Sequence, residues 1–298
     1  MIRQSLLLLL MIALPLSLEA LTFRMPDNGD DLIGEPFVVR SRYEDTMAVY
    51  AEAYGVGFQE MRDANPGVNP WVPGEGRQLL LPTEYILPAS AREGVVLNLA
   101  EYRLYYYLDD GKTIVSYAMG IGREGWETPL LLTRVTGRVE NPTWAPPPSI
   151  RAEHAAAGDP LPRLVPPGPD NPLGAFAVQL DAPGYFIHGT NKPFGVGMRV
   201  SHGCIRLYPA DIEEFVYKVS NGTEVRIVKE PIKAGWRSDA LFLEVHAPLK
   251  EDLAEWDAIK EARRVIENAA GDRNPAIQWQ IVESAVREAR GIPVKISD

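Results

Sequence analysis

A single cysteine, Cys204, sits in the segment Ser201-His202-Gly203-Cys204-Ile205-Arg206-Leu207, and sixteen residues upstream His188 ends a strand-like run just before Gly189 and Thr190. A free thiol with a pKa of about 8.5 is only a few per cent thiolate at neutral pH, so a cysteine nucleophile needs a base within hydrogen-bond reach. Imidazole suits that task best near neutrality, and a third group must hold it in one tautomer. Two histidines qualify. His202 is two residues from Cys204, where a tight turn can point the side chains apart. His188 is joined to Cys204 by a glycine-rich loop (Gly189, Gly195, Gly197) that can fold back on it. Gly203 permits close backbone approach, and its N–H together with that of Cys204 can form an oxyanion hole.

Other chemistries fit less well. A buried, inert Cys204 would behave as a small hydrophobe, but His, Gly and Arg surround it. A zinc site from His154, His188, His202 and Cys204 lacks the spacing of known zinc motifs, so no metal and no cofactor is expected. Gly120-Ile121-Gly122-Arg123-Glu124-Gly125 matches a dinucleotide fingerprint, which works by opening a helix. Pro129 would interrupt that helix in its first turns. His154 and His246 are assigned no catalytic role, and Asp159 and Asp170 are read as turn residues.

These residues need a framework. Residues 1–20 carry one positive charge, an apolar run from Leu6 to Leu16 and a terminal Ala20, which reads as a secretory signal peptide rather than a membrane span. The predicted location is the periplasm, with no integral membrane segment after signal removal. One cysteine cannot make an internal disulfide. The formal net charge of −10 argues against nucleic acid as a partner. From Pro36 to about Thr83 the pattern is strand, helix, helix, strand, with Asp45 expected to cap the first helix. From about Glu93 to Glu230 the text is β-rich, with Asp109-Asp110-Gly111-Lys112 as a hairpin turn. Ten of the 26 prolines fall in residues 142–172, which marks a lid or binding loop. In the tail, 231–298, Leu241–His246 is a strand candidate. Residues 250–269 and 276–290 read as amphipathic helices that pack onto the same chain, with Leu253, Trp256, Ala262, Val265, Ile266 and Ala269 near one face.

Two resemblances then come into view. Tyr54-Gly55-Val56, Ala64-Asn65-Pro66-Gly67-Val68 and Leu79-Leu80-Leu81-Pro82 resemble a LysM module, which implies binding to peptidoglycan glycan. Arg42-Tyr43-Glu44-Asp45 departs from the module's usual Pro-Gly-Asp. His188-Gly189-Thr190 with Ser201–Leu207 resembles the signature of L,D-transpeptidases with a YkuD-type catalytic domain. Asn141–Pro147, Pro169–Gly174 and His188–Ser201 look like its periplasmic Gram-negative branch. The resemblance implies a YkuD-type β-sandwich with short helices over 93–230, behind a βααβ module at 36–83 and ahead of an α-helical extension. It implies Cys204 as nucleophile, His188 as general base, and the Gly189 carbonyl or a nearby hydroxyl orienting His188. His202, Gly203 and Arg206 would line the site, and Ser201, Thr190 and Asn191 would bind substrate. Thr128-Pro129-Leu130-Leu131, where many relatives read Thr-Pro-Thr-Gly, is expected to lie clear of the chemistry. The implied reaction is acyl transfer from a peptidoglycan tetrapeptide stem with release of D-Ala. The acceptor would be a diaminopimelate amine, the C-terminal Lys of an outer-membrane lipoprotein, or water. Cleavage of lipoprotein links and an inactive glycan-binding protein are the alternatives.

Overall fold

The computed structural model describes residues 20–27 and 29–297. The expected signal segment lies outside the described residues except for Ala20.

Apolar and aromatic residues fill both faces of Gly94–Asn98, Arg103–Tyr107 and Thr113–Ala118, and these form consecutive antiparallel strands at the centre of a sheet. The Asp110 carboxylate closes the hairpin by accepting the Lys112 and Thr113 N–H groups and the Thr113 hydroxyl. Strand Glu224–Val228 lies parallel to Gly94–Asn98 and antiparallel to Leu131–Glu140.

The ten-residue strand Leu131–Glu140 serves two half-sheets. Its first part pairs with Glu224–Val228. Beyond an irregularity between Val135 and Gly137 it pairs with Phe176–Leu180. Such a bulge bends the strand and sharpens its twist. The nine-stranded sheet therefore turns over on itself, and Val95, Leu97 and Tyr117 share one core with Val178, Ile187 and Ile205. Strand Phe186–His188 is antiparallel to Phe176–Leu180 and parallel to the edge strand Ile205–Arg206. Helix Pro209–Lys218 buries Ile212, Phe215 and Val216 in the same core. The opposite edge is Leu21–Arg24, paired with Thr113–Ala118, in a stretch whose sequence carries no clear strand signal.

Strand Phe37–Arg40, helices Met47–Ala53 and Phe58–Ala64, and strand Gln78–Leu81 follow in that order, with the two strands antiparallel. Met47, Ala51, Phe58, Met61, Leu79 and Leu81 form their core. Thr46, not Asp45, caps the first helix; Asp45 accepts the Tyr50 hydroxyl instead.

The tail is not purely helical. Ile232–Arg237, Ala240–Val245 and Val294–Lys295 form an antiparallel sheet, and helices Ala258–Ala270 and Trp279–Glu288 lay Ala262, Ile266 and Val282 on it. Asp257 caps the first of these helices, so 250–255 is a separate 3-10 turn and Leu253 is exposed. No described helix is long and apolar enough to cross a membrane.

Candidate active site

Side chains alternate between the faces of a strand. Ile187 and Ile205 stand opposite each other and point into the core. Their neighbours His188 and Arg206, also opposite each other, must face away from it. The parallel pairing thus sets His188 and Arg206 on one face of one sheet edge, with Cys204 in the turn that leads into it, although they come from distant segments.

His188 is almost fully buried. Its Nδ1 lies 2.6 Å from the Gly189 carbonyl, which fixes the ring as expected. Burial, aided by the Arg206 charge, lowers its pKa to about 3, against the opposing effect of hydrogen bonds that the ring donates to the Gly189 and Leu173 carbonyls. His188 is therefore a neutral imidazole at physiological pH. Burial also raises the Cys204 thiol above its ordinary value, while the Phe186 N–H and Arg206 partly favour the thiolate. Both groups are uncharged at rest. The thiol contacts the Gly184 carbonyl at 3.5 Å rather than His188. With both groups uncharged, any attack by the thiol would need proton transfer to accompany it.

The turn carrying Cys204 is held from within. The Ser201 hydroxyl donates to the Cys204 carbonyl at 2.5 Å and accepts the Gly203 N–H at 3.1 Å. That second bond occupies one of the two N–H groups expected for an oxyanion hole and leaves that of Cys204. Gly203 has φ +101°, and a Cβ there would stand 3.2 Å from the Tyr185 ring, so the position demands glycine. Thr128 corrects an expectation. Its hydroxyl donates to the Gly203 carbonyl at 2.9 Å and accepts the Gly122 N–H at 3.0 Å, so it braces the catalytic turn.

Gly120-Ile121-Gly122 opens no helix. Its residues Ile121–Gly122 form a short strand paired with Arg199–Ser201, and a Cβ on Gly122 would stand 2.0 Å from the Trp126 carbonyl. These glycines serve close packing of two loops around the site.

Arg206 has a buried Nε with no hydrogen-bond partner among the described residues. His202 turns away from His188: its Nε2 lies 3.2 Å from Glu153 and 3.0 Å from Arg123, and its ring meets Trp126 edge-on at 4.8 Å. Glu153 belongs to helix Pro148–Ala156 in the proline-rich segment, and it also pairs with Arg123. Thr190 accepts the Lys192 N–H in a local turn, and Asn191 donates to the Pro169 carbonyl. Neither side chain is joined to Cys204. Asn171 is fully buried, donates to the Pro142 carbonyl at 2.8 Å and accepts the Leu173 N–H at 2.9 Å. It thereby holds the carbonyl that backs His188. Asn171 and Thr128 fall in segments that carry the family resemblance but without a role of their own there, Glu153 lies in the proline-rich segment, and no sequence signal singles out Trp126.

Glu101, Glu244 and His246 bring ligand-type atoms within 4.8 Å of one another, away from Cys204. The Lys233 ammonium fills that position, 2.6 Å from Glu101 and 3.0 Å from Glu244. The four histidine and cysteine side chains weighed for zinc do not form such a group.

The family profile for the L,D-transpeptidase catalytic domain of YkuD type matches residues 92–227. The probable L,D-transpeptidase ErfK/SrfK of Escherichia coli is 40% identical over 290 residues, covering 93% of this chain and 91% of that protein. The probable L,D-transpeptidase YcfS of the same organism is 44% identical over 81% of this chain and 78% of its own length. YbiS, also a probable L,D-transpeptidase of E. coli, is 37% identical over 94% and 93%. Identity of this order runs through the whole architecture around Cys204 and not through one motif, and the chain belongs to the L,D-transpeptidase family.

Proposed function

We propose that the protein is a cysteine acyltransferase of the periplasm that acts on peptidoglycan tetrapeptide stems. The observation that carries this reading is the parallel register that pairs His188 with Arg206 and Ile187 with Ile205, immediately after Cys204. His188, neutral at rest, takes the thiol proton as Sγ attacks the carbonyl between the L-centre of diaminopimelate and the terminal D-Ala. The Cys204 N–H stabilises the developing oxyanion. The imidazolium returns the proton to the leaving amine of D-Ala, and a thioester remains. An incoming amine then attacks the thioester, loses its proton to His188, and the thiol is restored. A diaminopimelate amine gives a 3→3 cross-link; the C-terminal Lys of a lipoprotein gives an anchored lipoprotein. The unpartnered Arg206 Nε suits a substrate carboxylate, a geometry that guanidinium serves better than ammonium. The βααβ unit of residues 36–83 is a LysM-like glycan anchor, and residues 1–20 are a cleaved signal peptide.

Incubating the protein with disaccharide-tetrapeptide and following products by mass tests the reading. Release of D-Ala that disappears in Cys204→Ala is expected. Release that persists in Cys204→Ala, or none from the native protein, overturns it.

A further inference from the structure

The loop Pro193–Ser201 leads directly into Cys204, and only one of its walls comes from the catalytic sheet. On that side Ile121 donates to the Met198 carbonyl and Arg123 to the Ser201 carbonyl. The other wall is the N-terminal unit. The first N–H groups of a helix have no partner inside it. Those of Phe58 and Gln59 donate to the Val196 and Gly197 carbonyls, each at 3.3 Å. Gly57 and Gly197 meet backbone to backbone: a Cβ on Gly57 would lie 2.9 Å from the Gly197 Cα, and one on Gly197 would lie 2.4 Å from the Phe58 nitrogen. Met198 packs against the N-terminal core, and Tyr208, four residues past Cys204, donates its hydroxyl to the Val56 carbonyl at 3.1 Å.

Below this contact lies a buried charge pair. Arg103, in the middle of the catalytic sheet, is fully buried and donates to Glu60 through Nε at 2.9 Å and Nη2 at 3.0 Å. Glu60 also accepts the Gly57 N–H, and Arg103 reaches the Gly55 carbonyl. A charge pair taken out of water is costly unless its geometry is nearly complete, and breaking one partner leaves a buried charge. A unit that merely hung on a linker would need none of these bonds.

We propose that the N-terminal unit braces the catalytic loop, with Gly57, Glu60, Arg103 and Tyr208 as positioning residues for Cys204. Any displacement of Val196–Met198 passes along the short strand Arg199–Ser201 to the Ser201 hydroxyl, which holds both Gly203 and Cys204. The unit thus acts on the thiol's surroundings through the loop and touches no substrate in doing so. This inference does not depend on the transpeptidase reading, because its test reads the thiol itself.

The test measures alkylation of Cys204 by iodoacetamide against pH in the full chain. Gly57 has an ordinary φ, so Gly57→Ala is free of backbone strain, and its methyl group would press on both the Glu60 carboxylate at 2.8 Å and the Gly197 Cα at 2.9 Å. Tyr208→Phe deletes only the bond to Val56. Either variant is expected to move the alkylation midpoint by about half a pKa unit or the rate by about threefold, since thiol pKa follows local burial and hydrogen bonds. Val49→Ala, on the exposed side of the unit, is expected to behave as native. Native midpoint and rate in folded Tyr208→Phe and Gly57→Ala overturn the proposal. If Gly57→Ala fails to fold, Tyr208→Phe decides alone.

Discussion

In the proposed reaction His188 can serve as a base because the fold keeps it neutral. Its pKa of about 3 means that the imidazole is available as a base at any pH above that, so the acid limb of a pH–rate profile belongs to another group. We expect His188→Ala to lower kcat by about two to four orders of magnitude with Cys204 still open to alkylation, the scale of losing a general base. Undiminished turnover in that variant would move the role to His202. The same shift has a thermodynamic consequence. The unfolded chain binds a proton at His188 below about pH 6.5, the ordinary value, whereas the folded protein does not until about pH 3. Stability therefore falls as pH drops across that window. Asp211 has the opposite sign: burial beside Glu214 raises it to about 7 from 3.8, so the folded state holds the extra proton. Its contribution is complete below 3.8 and is lost as pH rises to 7. Urea unfolding between pH 4 and 7 checks both. His188→Gln should lose less stability toward acid than the native protein, and Asp211→Asn should lose less toward neutrality. Parallel curves for native and variant would remove the corresponding group from the account.

At the scale of elements, the sequence was legible wherever a local signal sufficed. The hairpin around Asp110, both helices of the N-terminal unit and the strand ending at His188 follow from residue pattern and turn chemistry. The edge strand Leu21–Arg24 does not, because its partner lies some ninety residues away and nothing in four residues encodes it. The parallel register of Phe186–His188 with Ile205–Arg206 is equally silent in the text, yet it sets His188 opposite Arg206, beside the turn that carries Cys204. In the tail, Ile232–Arg237 carries no strand signal of its own and gains its strand character from pairing with Ala240–Val245. Thr128 meets the Gly203 carbonyl across 75 residues of sequence, so nothing local encodes a hydroxyl that bridges two loops. The proline-rich segment is a further case. Its backbone has few donors, and Asn171 supplies the cross-links instead. We expect Asn171→Ala to cost about 2–4 kcal/mol, as the Pro142, Val165 and Pro166 carbonyls and the Leu173 N–H lose their side-chain partner. Because the Leu173 carbonyl backs His188, kcat should fall in the same variant while KM changes little. Native kcat in a destabilised Asn171→Ala would confine the residue to packing.

Across the whole molecule, two buried ionic links cross between units that the sequence alone reads as separate. Glu60–Arg103 joins the N-terminal unit to the catalytic sheet. Lys233, from the tail sheet, reaches Glu101 of the catalytic region, Glu244 of its own neighbour strand and the Ile86 carbonyl of the segment between the first two units. These groups are compensated only by one another while the units stay packed, so removing one partner in place leaves a buried charge uncompensated. Lys233→Met keeps an unbranched side chain of similar size and removes the charge together with the donors to Glu101, Glu244 and the Ile86 carbonyl. It leaves Glu101 and Glu244 facing each other with His246 as the remaining counter-group. We expect a loss of about 3–5 kcal/mol, the range for breaking one partner of a buried pair. Native protein should unfold in one calorimetric transition, with the tail, the catalytic region and the N-terminal unit melting together. Lys233→Met should lower that transition and split the tail from the rest, since the link that crosses the junction is gone. Two separate transitions in the native protein, or a native-like midpoint in Lys233→Met, would show that the three units are stabilised independently and that the junction contributes contact without coupling.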